Sequence, residues 1–287
     1  MRAGTIVAAH GRQYLVETDD GARLLCFPRG KRSEMSCGDR VGIEPAGDGQ
    51  GVIEAVAPRS TFLYRSNEFR QKLIAANATQ IVIVVATEPS FSDELITRAI
   101  VAAEAQDMKV VIVLNKCDLT ERLDYALQTL KPFADLGYTL LRLTARTGAD
   151  ALLPYLAEQS SVLVGQSGMG KSTLINALVP GSNARTREIS TALDTGKHTT
   201  TQATLYRLDR RSALIDSPGL QEFGLHHLPL EAIATGFREL RSLHGKCRFR
   251  DCRHDLEPGC AVLAAVASGA IDRRRYAVFR SLCKEVG

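Results

Sequence analysis

The fold is decided by Gly165-Gln166-Ser167-Gly168-Met169-Gly170-Lys171-Ser172, which follows the apolar run 161–164. This stretch matches the pattern G-x-x-x-x-G-K-[ST], a strand-to-helix loop whose backbone N–H groups surround the phosphates of a nucleotide. The positive potential of the following helix N-terminus adds to anion binding. We therefore expect Lys171 to contact the β- and γ-phosphates and the Ser172 hydroxyl to bind Mg²⁺. A glycine turn without a ligand is the alternative, which the complete motif disfavours.

A second polar loop, Asn115-Lys116-Cys117-Asp118, follows the apolar run 110–114. A carboxylate such as that of Asp118 accepts both the N1–H and the exocyclic amine of guanine, whereas adenine lacks this pair of donors. Alone, the string is a common polar turn, but beside a phosphate loop it predicts a guanine site. Thr144 and Ala145 end the next predicted strand, where we expect them to lie behind the guanine ring.

A third loop, Asp216-Ser217-Pro218-Gly219, follows the apolar segment 213–215. We expect Asp216 to hold the Mg²⁺ shell through water and the Gly219 N–H to contact the γ-phosphate. All three loops lie where apolar strands end, as nucleotide loops do in parallel α/β sheets. The guanine loop precedes the phosphate loop, which is the reverse of an ordinary GTPase. The order of the loops therefore predicts an α/β fold with a circularly permuted GTPase domain that binds GTP or GDP with Mg²⁺.

The segment 196–201 precedes the strand predicted over residues 203–208 and contains three threonines. A threonine at this place binds Mg²⁺ when GTP is present and releases it after hydrolysis, which is the order–disorder switch of GTPases. Thr200 is our first candidate for this ligand and Thr199 is the second. A threonine-rich start of an ordinary β-strand is the alternative interpretation.

The sequence leaves open which residue orients the attacking water. Ras-like enzymes carry a Gln directly after the Asp-x-x-Gly motif, but Leu220 occupies that position here and Gln221 follows one step later. An apolar side chain cannot polarise water. His198, beside the switch threonines, is therefore the leading catalytic candidate, together with Lys171 and Thr200. An ordinary surface histidine is the alternative for His198.

Four residues in one short segment have the spacing of a metal site: Cys247, Cys252, His254 and Cys260. Three thiolates and one imidazole form a closed tetrahedral Zn²⁺ site without an open position, so the predicted site is structural. The turn residues 258–259 allow one ion to reach all four ligands. The chain has seven cysteines, an odd number that argues against a disulfide framework. We expect one structural zinc ion per chain.

The patterns of strands and helices divide the chain into three regions. Residues 1–62 contain short predicted strands separated by turns, which favours a small OB-fold barrel that binds RNA or the ribosome. A barrel that docks on protein is the alternative. Residues 63–224 alternate strands and helices and form the predicted GTPase domain. Residues 225–287 combine predicted helices with the cysteine cluster, which indicates a zinc-binding helical domain.

The net charge is only +4, but basic residues cluster within 29–32, 241–253 and 273–284. Three basic groups flanking a nucleotide switch favour a polyanionic partner such as RNA, although a solvated charged surface is the alternative for each group. No apolar run approaches the ~20 residues of a membrane-spanning helix, and the N-terminus lacks an apolar leader. We therefore expect a cytoplasmic protein with no membrane partner.

Together, these motifs resemble the RsgA, or YjeQ, family of circularly permuted GTPases. The resemblance covers essentially the whole chain and is carried by residues 115–118, 165–173, 198–201, 216–219 and the four zinc ligands. It implies nucleotide contacts from Gly165 through Thr173 and the same three-domain arrangement as predicted above. Gln221 is a departure, because family members often carry Arg at this position.

The resemblance implies a bacterial GTPase that binds the 30S ribosomal subunit late in its maturation and contacts 16S rRNA. It also implies that hydrolysis is slow in the free protein and strongly stimulated by the subunit, so that hydrolysis times release. We expect a monomer. The alternative is an RNA-docking assembly module in which the nucleotide mainly stabilises the fold, and turnover of GTP in the presence of 30S subunits distinguishes the two.

Overall fold

The computed structural model describes residues 1–10, 12–30, 34–66, 71–182, 203–217 and 224–286. Its first five strands are β1 (Arg2–His10), β2 (Gln13–Thr18), β3 (Arg23–Pro28), β4 (Arg40–Gly47) and β5 (Gln50–Val56). β1 pairs with both β2 and β4, and a parallel β3–β5 pairing closes the ring. Ile6, Val16 and Ile43 are fully buried in its centre. The closed five-stranded barrel confirms the predicted N-terminal barrel.

A hairpin of β6 (Phe62–Ser66) and β7 (Gln71–Ala76) follows the barrel. The α/β sheet then contains β8 (Gln80–Ala86), β9 (Lys109–Asn115), β10 (Thr139–Arg142), β11 (Ser160–Val164), β12 (Thr204–Arg207) and β13 (Ala213–Asp216), in the order β10-β9-β8-β11-β13-β12. These strands are parallel except β12, which runs antiparallel to β13. β8 is buried along its whole length, and its side chains alternate between two hydrophobic cores. An uninterrupted apolar strand requires such cover on both faces.

The strand order accounts for the permuted motifs. From β8 the chain moves outward to β9 and β10, and it then crosses to the other side of β8 to form β11. In open α/β sheets, ligands bind outside the carboxyl ends of the strands at such a change of direction. The phosphate loop after β11 and the guanine loop after β9 therefore lie at one edge of the sheet, on either side of the loop that follows β8.

The helices of this region are α1 (Asp93–Glu104), α2 (Leu123–Asp135), α3 (Leu153–Leu156) and α4 (Lys171–Leu178). Ser92 caps α1 as predicted, because its hydroxyl accepts a hydrogen bond from the Leu95 N–H. Helical spacing in the sequence predicts one helix near residues 149–158. Its extent is wrong, since a 3₁₀ turn at Asp150–Leu152 precedes the short α3. Glu158 has a left-handed φ of 57°, which reverses the chain just beyond this helix.

The C-terminal region contains α5 (Leu230–Gly236), α6 (Arg238–Arg241), α7 (Ala261–Ala267) and α8 (Arg273–Val286). The sequence pattern predicts a single helix over residues 230–243. This prediction is wrong, because Phe237 interrupts the helix with an extended φ of −95° and ψ of 103°. The Phe237 ring is buried and packs edge-on against Phe279, with ring centroids 5.2 Å apart. Burial of this aromatic pair offsets the helical hydrogen bonds lost at the break. Among the described helices, none has the length and apolar character needed to cross a membrane.

Arg275 joins the C-terminal helices to the α/β region. Its side chain on α8 is almost fully buried and donates to both oxygens of Glu239, at 2.8 and 3.2 Å. It also donates to the Thr97 hydroxyl on α1 at 2.8 Å, and its guanidinium lies over the rings of Phe133 and Phe237. A buried cation is tolerated only when it is paired in this way. The basic segment 273–284 is therefore partly internal and not wholly a surface for RNA.

Candidate nucleotide site and metal centre

Two glycines allow the phosphate loop to pass close to its neighbours. A Cβ on Gly165 would lie 2.2 Å from the carbonyl oxygen of Val84 on β8. A Cβ on Gly170 would lie 2.3 Å from the Nδ2 of Asn115, and the φ of Gly170 is a left-handed 92°. Neither position accepts another residue without a shift of its surroundings. The loop thus reaches Lys171, the first residue of α4, with its backbone against both β8 and the guanine loop.

Lys171 and Asp216 bring opposite charges into the same buried site. The Lys171 Nζ donates to the carbonyl oxygens of Gly165 and Gln166, the latter at 3.0 Å. Burial lowers the pKa of Lys171 and raises the pKa of Asp216, and each charge partly offsets the shift of the other. A phosphate would stabilise the ammonium form and a divalent cation the carboxylate form. The half-buried Ser172 adds a hydroxyl in the first turn of α4, so the donor set fits a nucleotide phosphate with Mg²⁺.

Asn115 connects the loops of the site. Its Nδ2 donates to the Met169 carbonyl of the phosphate loop at 2.9 Å, and its Oδ1 accepts from the Ala145 N–H at 2.9 Å. The side chain is buried, so rotating it away would leave three polar groups without partners. The sequence motif predicts only that Asn115 contacts the nucleotide. The structure adds a second role, as a bridge between the phosphate loop and the loop predicted to lie behind guanine.

Asp118 lies exposed at the end of the guanine loop, where its carboxylate faces Thr144. The Thr144 hydroxyl donates to Asp118 Oδ1 at 3.2 Å and accepts from the Asp118 N–H at 3.2 Å. The preceding Cys117 N–H donates to the Leu143 carbonyl at 3.2 Å. These contacts hold the carboxylate beside the loop that follows β10. The predicted proximity of Asp118, Thr144 and Ala145 is therefore present in the fold.

One segment of the site was not predicted from the sequence, the loop 87–92 that follows β8. The Thr87 hydroxyl donates to the Lys116 carbonyl at 2.8 Å, and the Lys116 ammonium donates to a carbonyl of the same loop at 2.7 Å. The Ser92 N–H donates to Gln166 Oε1 at 3.2 Å. The loop thus contacts both the guanine loop and the phosphate loop. It carries no motif, and the available signal was its position after a buried parallel strand.

Several predicted site residues lie outside the described part of the chain, and their roles stay predictions: His198, Thr199, Thr200, Gly219, Leu220 and Gln221. The described strand that follows the threonine segment is β12. Its first residue, Thr204, pairs with Asp216 in the sheet. The first described residues after the threonine segment therefore lie directly beside the strand that carries the predicted Mg²⁺ carboxylate.

The four predicted metal ligands come together, with all ligand atoms within 4.8 Å of one another: Cys247, Cys252, His254 and Cys260. The Cys247 Sγ lies 3.5 Å from His254 Nδ1 and 3.9 Å from Cys260 Sγ, and the last two atoms are 3.4 Å apart. Tetrahedral Zn²⁺ with Zn–S of about 2.3 Å and Zn–N of about 2.0 Å separates two sulfurs by about 3.8 Å and a sulfur from a nitrogen by about 3.5 Å. These distances fit a zinc ion.

Hydrogen bonds outside the ligand set fix the cluster. The Tyr276 hydroxyl donates to the His254 carbonyl at 2.7 Å, and the Leu263 N–H donates to the Cys260 Sγ. Glu257 accepts from three backbone N–H groups of the same loop, which lowers its pKa to about 2. Burial lowers the pKa of His254, which favours the neutral imidazole that coordinates a metal.

The structure separates the clustered basic residues into paired and unpaired sets. Arg238 and Arg241 both donate to Glu104 at 2.7 Å, and Arg280 forms a salt bridge with Asp255. Beside the cysteine cluster, cations without a salt bridge to any described residue are Lys246, Arg248, Arg250 and Arg253. Positive charge available to a polyanion is thus concentrated in the loop that holds the first metal ligands.

The fold and this site define the class of the protein. A parallel sheet carries a complete phosphate loop, a guanine-type loop bridged to it by Asn115, and an aspartate on β13. The guanine loop comes first in the chain. This arrangement is that of a circularly permuted P-loop GTPase.

Comparison with known proteins agrees with the class. Residues 56–226 match the family model described as RsgA GTPase, and the chain belongs to this family. It is 56% identical to the Small ribosomal subunit biogenesis GTPase RsgA of Nitrosospira multiformis over 279 residues, which cover 97% of this chain and 89% of the relative. It is 51% identical to the protein of the same name from Ralstonia pickettii over 290 residues, with coverages of 98% and 92%. The protein is therefore a GTP-hydrolysing enzyme of ribosome biogenesis.

Two solved structures resemble the whole chain. The crystal structure of YjeQ from Thermotoga maritima has a TM-score of 0.77 at 31% identity and covers 99% of this chain and 98% of that one. The structure of YloQ, described as a circularly permuted GTPase, has a TM-score of 0.73 at 25% identity, with coverages of 100% and 95%. The similarity extends over the barrel, the permuted domain and the C-terminal helices.

Proposed function

We propose that this protein hydrolyses GTP on the maturing 30S ribosomal subunit and that hydrolysis times its release. The names of its relatives support the small subunit as partner. The observation that carries the proposal is the Asn115 bridge, whose two hydrogen bonds of 2.9 Å join Met169 to Ala145. This bridge fixes the base-recognising and phosphate-binding parts of the site relative to each other, which suits an enzyme that must recognise a whole nucleotide in each cycle.

The proposed nucleotide site assigns a role to each loop. Backbone N–H groups of residues 165–173 surround the phosphates and Lys171 binds the β- and γ-phosphates, while residues 115–118 with Thr144 and Ala145 hold guanine. Ser172, Asp216 and Thr200 are the proposed Mg²⁺ ligands, directly or through water. Bound Mg²⁺ neutralises charge that develops on the phosphates. The zinc ion proposed at the cysteine cluster has a structural role only, because all four of its positions are filled.

The proposed partner surface faces 16S rRNA. Lys246, Arg248 and Arg250 are exposed and lack acidic partners among the residues that the structure describes. Unpaired cations bind phosphates more strongly than cations already held in ion pairs, because they lose no internal contact. We propose that the protein acts as a monomer in the cytoplasm, where ribosomal subunits of bacteria are assembled.

GTP turnover with and without purified 30S subunits tests the proposal. We expect slow turnover by the free protein and a large increase with subunits. Arg248→Ala should weaken subunit binding and its dependence on salt, whereas Lys131→Ala should leave both unchanged, because Lys131 is an exposed cation already paired with Asp135. Equal turnover with and without subunits would support the rival module, in which nucleotide mainly stabilises the fold.

His198→Ala tests the proposed catalytic residue. Leu220 offers no hydrogen bond to the attacking water, so another group must orient it. We expect the variant to keep nearly normal GTP affinity and to lose most of the subunit-stimulated turnover. Affinity by fluorescent GTP titration and single-turnover rates separate the two effects. A stimulated rate within about twofold of wild type would show that another group orients the attacking water, since a general base or a residue that positions the water contributes about 10²-fold or more to the rate.

A further inference from the structure

The barrel meets the GTPase sheet at β12. β1 pairs with this strand at Ala8 and Thr204, and on its other side Thr204 pairs with Asp216. One residue of β12 therefore lies between the barrel and the carboxylate proposed to hold Mg²⁺. Three positions before Ala203 in the chain stands Thr200, the proposed switch ligand. No other strand joins the two sheets within the part of the chain that is described.

Side chains of the barrel region hold both ends of β12. At its start, the Cys37 thiol donates to the Ala203 carbonyl at 3.0 Å. Cys37 lies in the connection between β3 and β4 and is fully buried, and burial raises its pKa to about 12, so the thiol keeps its proton at neutral pH. At the end of β12, the Arg207 Nε donates to a Glu17 carboxylate oxygen on β2 at 2.9 Å. Neither contact belongs to the nucleotide loops or to the metal cluster.

Glu17 is itself fixed to the barrel. Its other oxygen accepts from Arg23 on β3 at 3.3 Å, and its side chain is mostly buried. A movement of the barrel would therefore carry Glu17 and Cys37 together. Because β12 has only four residues and its backbone is hydrogen-bonded to β13, the strand must follow as a unit or break these contacts.

We propose that Cys37, Glu17 and Arg207 are positioning residues for GTP hydrolysis, which fix β12 to the barrel so that docking of the barrel sets the Mg²⁺ side of the site. The two ends of β12 transmit the movement to Asp216, which pairs with Thr204 in the sheet. This proposal rests on the proposed subunit-dependent function, since docking on the 30S subunit supplies the movement.

The Glu17–Arg207 pair provides a test that separates positioning from stability. The Arg207 side chain is 36% exposed, so Arg207→Met should cost little stability, and Glu17→Gln keeps the shape of the more buried partner. Glu17→Gln, Arg207→Met and the double variant should each lower the 30S-stimulated kcat by about threefold to tenfold, which lies within the range of about twofold to thirtyfold found for residues on a coupling path. The KM for GTP and the Tm should stay at wild-type values. The double variant should be no slower than the slower single variant, because the charged Glu17–Arg207 contact is absent in all three and Glu17→Gln alone already removes the Glu17–Arg23 ion pair.

Matched controls complete the test. Lys131→Met removes an ion pair far from β12, the more exposed Lys131–Asp135 on α2, and should leave stimulated kcat unchanged. Cys37→Ser retains a donor for the Ala203 carbonyl and should keep stimulated turnover, whereas Cys37→Ala loses the donor and should lower it. If Cys37→Ser and Cys37→Ala lose stimulated turnover equally, Cys37 contributes only packing, and its assignment as a positioning residue is overturned.

The remaining outcomes are also decisive. Suppose that 30S subunits stimulate the wild-type protein and that all Glu17 and Arg207 variants keep its stimulated kcat. This result would overturn the positioning role and leave the proposed function intact. A fall in Tm that parallels the fall in kcat would make the contacts structural and overturn it as well. A wild-type protein that 30S subunits do not stimulate would overturn both proposals.

Discussion

The loops of the nucleotide site extend from buried strands, whereas the four ligands of the cysteine cluster lie in loops between short helices. β8, β9 and β11 are almost entirely buried along their lengths. Around the cluster, Phe249 and Leu256 are 42% and 87% exposed, and only Cys260 of the ligands is buried. Burial of apolar strands therefore holds the loops of the nucleotide site in place, whereas the loops of the cysteine cluster have much less apolar contact.

This difference indicates what each region needs in order to keep its shape. The nucleotide loops are positioned by strand ends and by the Asn115 bridge before any ligand binds. The cluster has Tyr276 and Glu257 to order its loop, but few apolar side chains compensate for the conformational entropy of ordering it. We therefore expect the metal to be a folding requirement and the nucleotide to be a ligand of a preformed site.

The largest effect should follow from loss of the metal. Cys252→Ser removes one of four ligands, so metal content should fall from one ion per chain to near zero and residues 247–286 should lose hydrogen-exchange protection. In peptide zinc fingers the metal contributes about 10–16 kcal/mol of apparent binding free energy, which is also folding free energy. GTP binding should persist. The control is Cys283→Ser, because Cys283 is a thiol on α8 that does not belong to the cluster. A Cys252→Ser variant that retains one metal ion would contradict the assignment.

A smaller but specific effect should follow from Asp118→Asn. GTP affinity should fall by about 100-fold, because a hydrogen bond to a charged group contributes about 1.5–3 kcal/mol and the Asn amide can accept from only one of the two guanine donors. Affinity for xanthosine triphosphate should rise, since the Asn amide can donate to the 2-oxo group of xanthine. Metal content should not change. Asp124→Asn is the matched control, an exposed carboxylate six positions along the chain. Unchanged GTP affinity together with no gain for xanthosine triphosphate would rule out the guanine assignment.

Gly170→Ala should test whether the nucleotide site is preformed. The new Cβ would lie 2.3 Å from the Asn115 Nδ2 in a backbone with φ of 92°, and left-handed strain alone costs about 1–3 kcal/mol. Gly181→Ala separates the two causes, because Gly181 has φ of 78° and open space around it. We expect both variants to lose stability and only Gly170→Ala to lose about tenfold or more in GTP affinity. Equal affinities in the two variants would show that the Asn115 bridge does not position the loop.

The smallest effect should occur at the contact between the two regions. Thr97 and Thr129 are buried helical threonines whose hydroxyls donate to the carbonyl four residues earlier, but only Thr97 also accepts from Arg275. Thr97→Val should therefore lower the free energy of unfolding by about 1–2 kcal/mol more than Thr129→Val, because it leaves a buried guanidinium N–H without a partner. Denaturant unfolding measures this difference. A change in GTP affinity or metal content in Thr97→Val would show that the two regions are coupled through α8.

Sequence patterns predicted the site residues best at positions where the chemistry allows only one or two residue types. The phosphate loop, the guanine loop and the four metal ligands were identified because glycine, carboxylate and thiolate chemistry restrict the choice of residues. Helix extents were predicted less well, because burial of Phe237 and the left-handed Glu158 override helical spacing. The loop 87–92 was missed because its contacts with Lys116 and Gln166 depend on three-dimensional proximity and use common side chains.

The sequence by itself determined the order of the nucleotide loops, the permuted α/β fold and the presence of a metal-ligand set, since these follow from local motifs and strand ends. Only the tertiary structure decided which groups share an environment. It buried Arg275 against Glu239, turned Asn115 into a bridge and placed β12 between the barrel and Asp216. The physical reason is that such contacts join residues far apart in the chain, where pairing depends on packing of the whole core and not on spacing along the sequence.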